Sequence, residues 1–202
     1  MSLKRGEWVV IIFSLIYIII FGIYYIVTEN YEFLTYVVNL VFVGAIVLLT
    51  LKKTKLDNLA LWLLSIWGLL HMLGGSIIIQ GVALYNLKLI KIIELSGDFF
   101  ILKMDQVIHF YGFFVAAVVV FQIIAPRLKN RNKLGAAIFV AWLGSMGLGS
   151  LNEIVEFLVF IFVERTGVGD LYNLGLDLIS NMLGALVGSF FAARWYKRKK
   201  PN

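Results

Sequence analysis

Six long apolar runs divide the chain, each separated from the next by a polar or charged interval. Trp8–Val27 carries no charge and, at about 20 residues, is long enough to cross a ~30 Å hydrocarbon core as a helix. A secretory leader is the competing reading of a first apolar run. This one ends in YYIVTENYE rather than in a small-residue cleavage site, so it reads as a span. Phe33–Leu51, Leu59–Gln80, Met104–Ala125, Leu134–Val163 and Asp170–Trp195 supply five more. The remaining stretch, Gly81–Lys103, contains LYNLKLIKIIELSGDFFILK with a Ser-Gly-Asp turn signal at 96–98. Its periodicity leaves an interfacial helix and a small hairpin equally open, and it is apolar enough to lie on the membrane as a lid. The expectation is a single all-α domain over residues 1–202, a polytopic bundle of six transmembrane helices.

Composition agrees with that pattern. The 202 residues are 61% hydrophobic and 15% charged, with a mean hydropathy of +0.91, which is membrane-protein composition. The chain has no cysteine, excluding disulfides and thiolate metal sites. A net charge of +6 would suggest nucleic acid only if its distribution were ignored. Of the 18 Lys and Arg, all but Lys88, Lys91, Lys103 and Arg165 fall in the two tails or in the intervals 52–55 and 127–133. Those segments share one side of a six-span topology, so the positive-inside rule places both termini in the cytoplasm of a multi-pass cell-membrane protein, with no nucleic-acid partner expected.

The polar residues inside the spans carry the chemistry. On a wheel of about 100° per residue, Asp170, Asn173, Asp177, Asn181, Gly184 and Gly188 fall in one narrow wedge of the last helix, while Leu176, Leu178, Ile179, Met182, Leu183 and Leu186 cover the rest. An aspartate at a bilayer centre costs roughly 2.5–3.5 kcal/mol on insertion scales, so this stripe must face protein or water. The glycines admit a neighbouring helix. Other spans bring His71, the i,i+4 pair Asp105 and His109, and the i,i+3 pair Glu153 and Glu156. At about 1.5 Å per residue these groups lie at a similar level in the outer half of the membrane. They are therefore expected to converge on one extracytoplasmic-facing pocket. Four carboxylates gathered in a dry bundle need protons or a cation. Imidazoles with carboxylates suit zinc, manganese or iron. His71, Asp105, His109, Glu153 and Asp177 are the candidate metal ligands, Glu156 the candidate general base, and Asn173 and Asn181 the hydrogen-bonding residues behind them. The plainer readings are a packed His71, Asp105 and Asp170 as helix caps, and a polar network that only holds helices together.

The motifs resemble two families. LDLISNMLGALVG, running to Gly188, is similar to the Asp-x-x-x-Asn-x-x-Gly-Ala signature of VanZ-like membrane proteins. LHMLGG at 70–75, the Asp-x-x-x-His-Phe helix at 105–110, the Glu-x-x-Glu helix and the Gly-Asp…Asp helix resemble, in that order, the YjdF-like inner-membrane group over about residues 65–190. The resemblance implies a polytopic envelope protein with a polar intramembrane site. The leading expectation is a metal-dependent membrane hydrolase or transferase acting on a lipid-like or lipid-linked substrate. A small ion- or proton-coupled transporter using the same carboxylates, and an accessory membrane protein, are the alternatives.

Overall fold

A computed structural model describes residues 3–91, 100–128, 134–163 and 169–199. Six α-helices account for most of it: α1 (Arg5–Val27), α2 (Tyr31–Thr54), α3 (Asn58–Ser76), α4 (Met104–Ile124), α5 (Gly135–Phe162) and α6 (Leu171–Lys199). All six are long and apolar enough to cross a membrane, and their outward faces carry Ile, Leu, Val and Phe as lipid contact requires.

Helix boundaries follow local chemistry. Asn30 caps α2 by accepting from the Phe33 N–H, and Asp57 caps α3 by accepting from the Ala60 N–H. Asp170 accepts from the Asn173 N–H at the start of α6. Helix α3 stops at Ser76, four residues before the boundary the apolar run suggested. Ile77–Gln80 instead enters a hairpin, because Gln80 (φ 52°) and Gly81 (φ 82°) form a tight turn with two left-handed residues.

The described part of the long connection is therefore built mainly from short strands. β1 (Ile78–Ile79) pairs antiparallel with β2 (Val82–Ala83), and a short 3-10 turn, Leu84–Asn86, follows. β3 (Lys88–Lys91) pairs antiparallel with β4 (Phe100–Lys103), Lys88 opposite Lys103. The Ser-Gly-Asp turn signal at 96–98 lies outside the described residues, as do the tip of the basic interval at 129–133 and the turn at 164–168. β4 runs straight into α4, and the Met104 N–H donates to the Leu87 carbonyl, so the ribbon holds the first turn of α4 in place.

Helix α4 is the centre of the bundle, with its closest partner α6, then α5 and α3, while α1 and α2 pack on the outside through α3. Cβ atoms added at Gly184 and Gly188 of α6 would meet the backbone carbonyls of Phe110 and Phe114 of α4. The two backbones touch where the sequence omits side chains. α5 is tied in by the Ser145 hydroxyl, which donates to the Phe113 carbonyl at 2.8 Å, and by the Trp142 indole N–H, which donates to the Met182 carbonyl at 3.3 Å.

Candidate metal centre

Immediately beyond that glycine contact, towards the hairpin end, α4, α5 and α6 enclose a polar cluster. Of the stripe read from the wheel, Asn173, Asp177, Asn181, Gly184 and Gly188 are buried, along with Ala185, Ser189, Ala192 and Ala193, whereas Asp170 ahead of the helix is exposed; Asp177 is fully buried. α4 contributes Asp105, Gln106 and His109, and α5 contributes Glu153 and Glu156, all buried.

His109 sits between acids from two helices. Its Nε2 lies 3.5 Å from Asp105 Oδ1 and 3.4 Å from Glu156 Oε1. Its Nδ1 donates to Asn181 Oδ1 at 3.1 Å and lies 3.4 Å from Glu153 Oε1. Asn181 then donates from Nδ2 to Glu153 Oε1 at 3.0 Å, joining α6 to α5. Gly149 makes room for that amide, since a Cβ there would stand 3.1 Å from Asn181 Nδ2. Asp177 accepts at 2.5 Å from Gln106 Nε2 on one oxygen and at 2.5 Å from Asn173 Nδ2 on the other. Asn173 also donates to Asp105 Oδ2 at 3.4 Å, and Asn152 donates to Glu156 Oε1 at 2.8 Å.

Two groups of ligand atoms emerge: Asp105, His109 and Asp177, and Glu153, Glu156 and Asp177. Within each group the atoms lie within 4.8 Å of one another, and Asp177 belongs to both. Bonds of about 2.0–2.2 Å to a four-coordinate ion place ligand atoms roughly 3.3–3.6 Å apart, so a modest contraction would close either group on a cation. The donor set fits on two further counts. Asp105 Oδ1 is buried and accepts no hydrogen bond, a costly state for a carboxylate oxygen unless a cation or proton is supplied. Among the described residues, four carboxylates also face only two cation-capable side chains here, His109 and the buried Lys103, whose Nζ is 3.1 Å from Asp105 Oδ2.

His71 stands apart from both groups. Its ring is held edge-on by Tyr36 and Tyr85, with Phe33 and Trp67 alongside, and its Nδ1 is 2.8 Å from the Tyr85 hydroxyl. Gly74 and Gly75 create this cage, because a Cβ at either would strike the Tyr85 or the Phe33 ring. Burial first, then the nearby Asp105 and Glu156 carboxylates, pushes the Tyr85 hydroxyl well above its ordinary value and keeps it protonated. A cavity of about 170 Å³ borders Asp105 and Glu156 and is also lined by Asn30, Glu32, Asn86 and Tyr85. It joins the cluster to the α1–α2 turn and the hairpin connection.

Helix capping is divided differently from the plain reading of α4. Gln106 Oε1 accepts from the Lys103 N–H at 2.9 Å, leaving Asp105 to turn into the cluster. Gln106 and Lys103 are participants that the spacing of acids and imidazoles did not reveal. Gln106 directly follows Asp105 and lies about 100° round the wheel, still on the face turned to α6, which was the available signal. Lys103 reads as a loop charge until the strand–helix junction is seen.

The profile of a family described as a predicted membrane protein (DUF2238) matches residues 8–198. Neither the curated proteins nor the solved structures give a match.

Proposed function

The chain belongs to the DUF2238 family of predicted membrane proteins, and we propose that within it the α4–α5–α6 cluster is a divalent-cation site serving a metal-dependent hydrolase or transferase. The substrate is a lipid-like or lipid-linked envelope molecule. The observation that carries this reading is the sharing of Asp177 between two groups of ligand-competent atoms beside a buried Asp105 oxygen that accepts no hydrogen bond.

The roles follow from position. Asp105, His109 and Asp177 would hold a cation, with Glu153 contributing from the adjoining group that shares Asp177, and zinc, manganese and iron suit those donors. With Nδ1–H held on Asn181 Oδ1, His109 would offer Nε2 to the ion, the arrangement that fixes a ligand imidazole's tautomer. Gln106 and Asn173 orient Asp177 in the same way. A bound divalent ion lowers the pKa of coordinated water and polarises a phosphoryl or carbonyl oxygen. Glu156, which borders the 170 Å³ cavity, is placed to take a proton at Oε1, where Asn152 steadies it. The distribution of basic residues supports a cavity mouth that opens on the extracytoplasmic side of the cell membrane. The resemblance to VanZ-like and YjdF-like proteins points the substrate towards the envelope.

A second reading, ion or proton carriage, draws on Lys103. An ammonium 3.1 Å from Asp105 is a built-in counter-ion for a site that must release its cation.

Elemental analysis of the full chain, purified in detergent at neutral pH, tests the first reading. Wild-type protein should hold zinc, manganese or iron in stoichiometric amount, and the Glu153→Ala, Asp177→Ala double variant should lose it. Absence of saturable metal binding in a folded wild type refutes the reading. Proton-driven uptake by metal-free liposomes would then favour carriage.

A further inference from the structure

The opposite end of the bundle holds a second cavity, away from the acidic cluster. It measures about 560 Å³ and lies where the α2–α3 connection, the end of α4 and the end of α6 meet. Four cationic side chains line it: Lys53, Lys55, Arg127 and Lys199. One carboxylate, Asp57, stands among them.

Asp57 has no spare capacity to neutralise the others. Its Oδ1 accepts from the Ala60 N–H and from Gln122 Nε2, each at 3.0 Å. Its Oδ2 accepts from the Trp195 indole at 3.0 Å and from Lys199 Nζ at 2.6 Å. Lys199 also lies over the Trp195 ring at 5.0 Å. Burial alone would raise the Asp57 carboxyl, but these donors outweigh it and hold the group down at about 2. The carboxylate is thus a permanent strut that fixes the pocket floor. Lys53, Lys55 and Arg127 are exposed and form no ion pair among the described residues. Arg127 is steadied by donating to the Ile123 and Lys53 carbonyls, which aims the guanidinium at the cavity while leaving it N–H groups to give.

We propose that this pocket binds the phosphate headgroup of an anionic phospholipid. Arg and Lys presented together at a helix-bundle end are phosphate-recognition chemistry. The walls favour a lipid over free phosphate. Trp195 and Tyr196, residue types that gather at the level of lipid headgroups, line the pocket. One turn further into the membrane, Phe190 and Phe191 are exposed on α6, Phe191 four residues before Trp195 on the same face. An acyl chain leaving a headgroup held by Arg127 and Lys53 has an aromatic wall to follow.

The test is lipid retention by the intact protein, measured by native mass spectrometry from detergent with phosphatidylglycerol, phosphatidylcholine or inorganic phosphate added. The wild type should keep one phosphatidylglycerol in preference to phosphatidylcholine. The Lys53→Ala, Lys55→Ala, Arg127→Gln triple variant should bind it about 100-fold more weakly, roughly a factor of five for each cation removed. This triple leaves Asp57 and its partners intact, and a circular-dichroism melt checks that the bundle is folded. The comparison variant is Arg194→Gln, Lys197→Ala, Arg198→Gln, which removes three cations from the same end outside the pocket. An equal loss in both triples overturns the proposal in favour of general surface charge. No preference for phosphatidylglycerol overturns it outright. Displacement of the lipid by millimolar inorganic phosphate assigns the pocket to a free anion and overturns the lipid assignment.

Discussion

Gly184→Ala adds one methyl group where α6 touches α4, and the structure states what that methyl meets. Its Cβ would run into the carbonyl oxygen of Phe110, with the Phe110 carbonyl carbon at 2.8 Å and Cα at 3.0 Å. All three are backbone atoms of a helix centre, so no side-chain rotation relieves the clash and the helices must part. Overpacking of this kind costs about 1–3 kcal/mol, and the better helix propensity of alanine returns up to ~1 kcal/mol. A net loss of about 1–2 kcal/mol corresponds to a melting point lowered by about 2–8 °C for a chain of this size. The displacement has a chemical consequence. His109 and Phe110 are adjacent on α4, and Asn181 is one turn before Gly184 on α6. A separation of about 1 Å takes the 3.1 Å contact between His109 Nδ1 and Asn181 Oδ1 beyond hydrogen-bond range. The variant should therefore lose both thermal stability and retention of any bound metal. The assay is a detergent melt followed by size exclusion, with metal content read on the same fractions. Gly44→Ala and Gly147→Ala are internal controls, since a Cβ at either meets nothing within 4 Å. These should be neutral or slightly stabilising. If Gly184→Ala melts with the controls and keeps its metal, α4 and α6 are not in backbone contact and the reasoning fails.

Three further variants probe other parts of the structure. Asn181→Leu removes the acceptor of His109 Nδ1 and a donor to Glu153 Oε1. It should cost about 2–5 kcal/mol by leaving two buried groups unpaired, and chemical denaturation in mixed micelles would read this. Tyr85→Phe keeps the ring in its cage and deletes only the hydroxyl facing His71, so a loss of about 0.5–1.5 kcal/mol is expected by the same measurement. Asp57→Asn tests linkage at the basic end. The folded carboxyl sits at about 2, below its unfolded value of about 4, so its contribution is complete above pH ~4 and fades as pH falls towards 2. The wild-type melting point should drop through that window beyond the drop seen in Asp57→Asn, and parallel curves would refute the strut.

The six spans were legible because lipid leaves a helix few options: a run of about 20 uncharged residues must cross, and short basic intervals must stay behind. The α6 wedge was legible for the same reason. An aspartate and two asparagines at helical spacing, flanked by Leu and Ile, can face only protein. Where water or a strand replaces lipid, that constraint lapses. Helix α3 ends at Ser76 although Ile77–Ile79 is as apolar as anything before it, because the Gln80–Gly81 turn pairs those residues with Val82–Ala83. Lys103 shows the same limit from the other side. Side-chain counting sees a basic residue in a loop, while strand pairing with Lys88 and the start of α4 bury it beside Asp105.

His71 and Gln106 show that residue type alone does not give a polar side chain's surroundings. A histidine attracts notice as a ligand, yet His71 is packed among four aromatic rings with a phenol on its Nδ1. Glutamine attracts none, yet Gln106 caps α4 with its oxygen and holds Asp177 with its nitrogen. The difference lies in what each helix offers behind the side chain. α3 ends in two glycines that let rings close over His71. α4 meets α6 at Gly184 and Gly188 with no side chain between them, so just beyond that contact only small distances separate the polar groups of both helices. Such close approach brings Asp105 and Asp177 together, and α5, packed on both helices, adds Glu153 and Glu156 to the same volume. Amides can satisfy a share of their oxygens but supply no charge. A cluster built this way is stable only with positive charge added to what Lys103 and His109 provide, or with protons in its place. The helix contact and the acidic cluster beside it are therefore one feature of the fold.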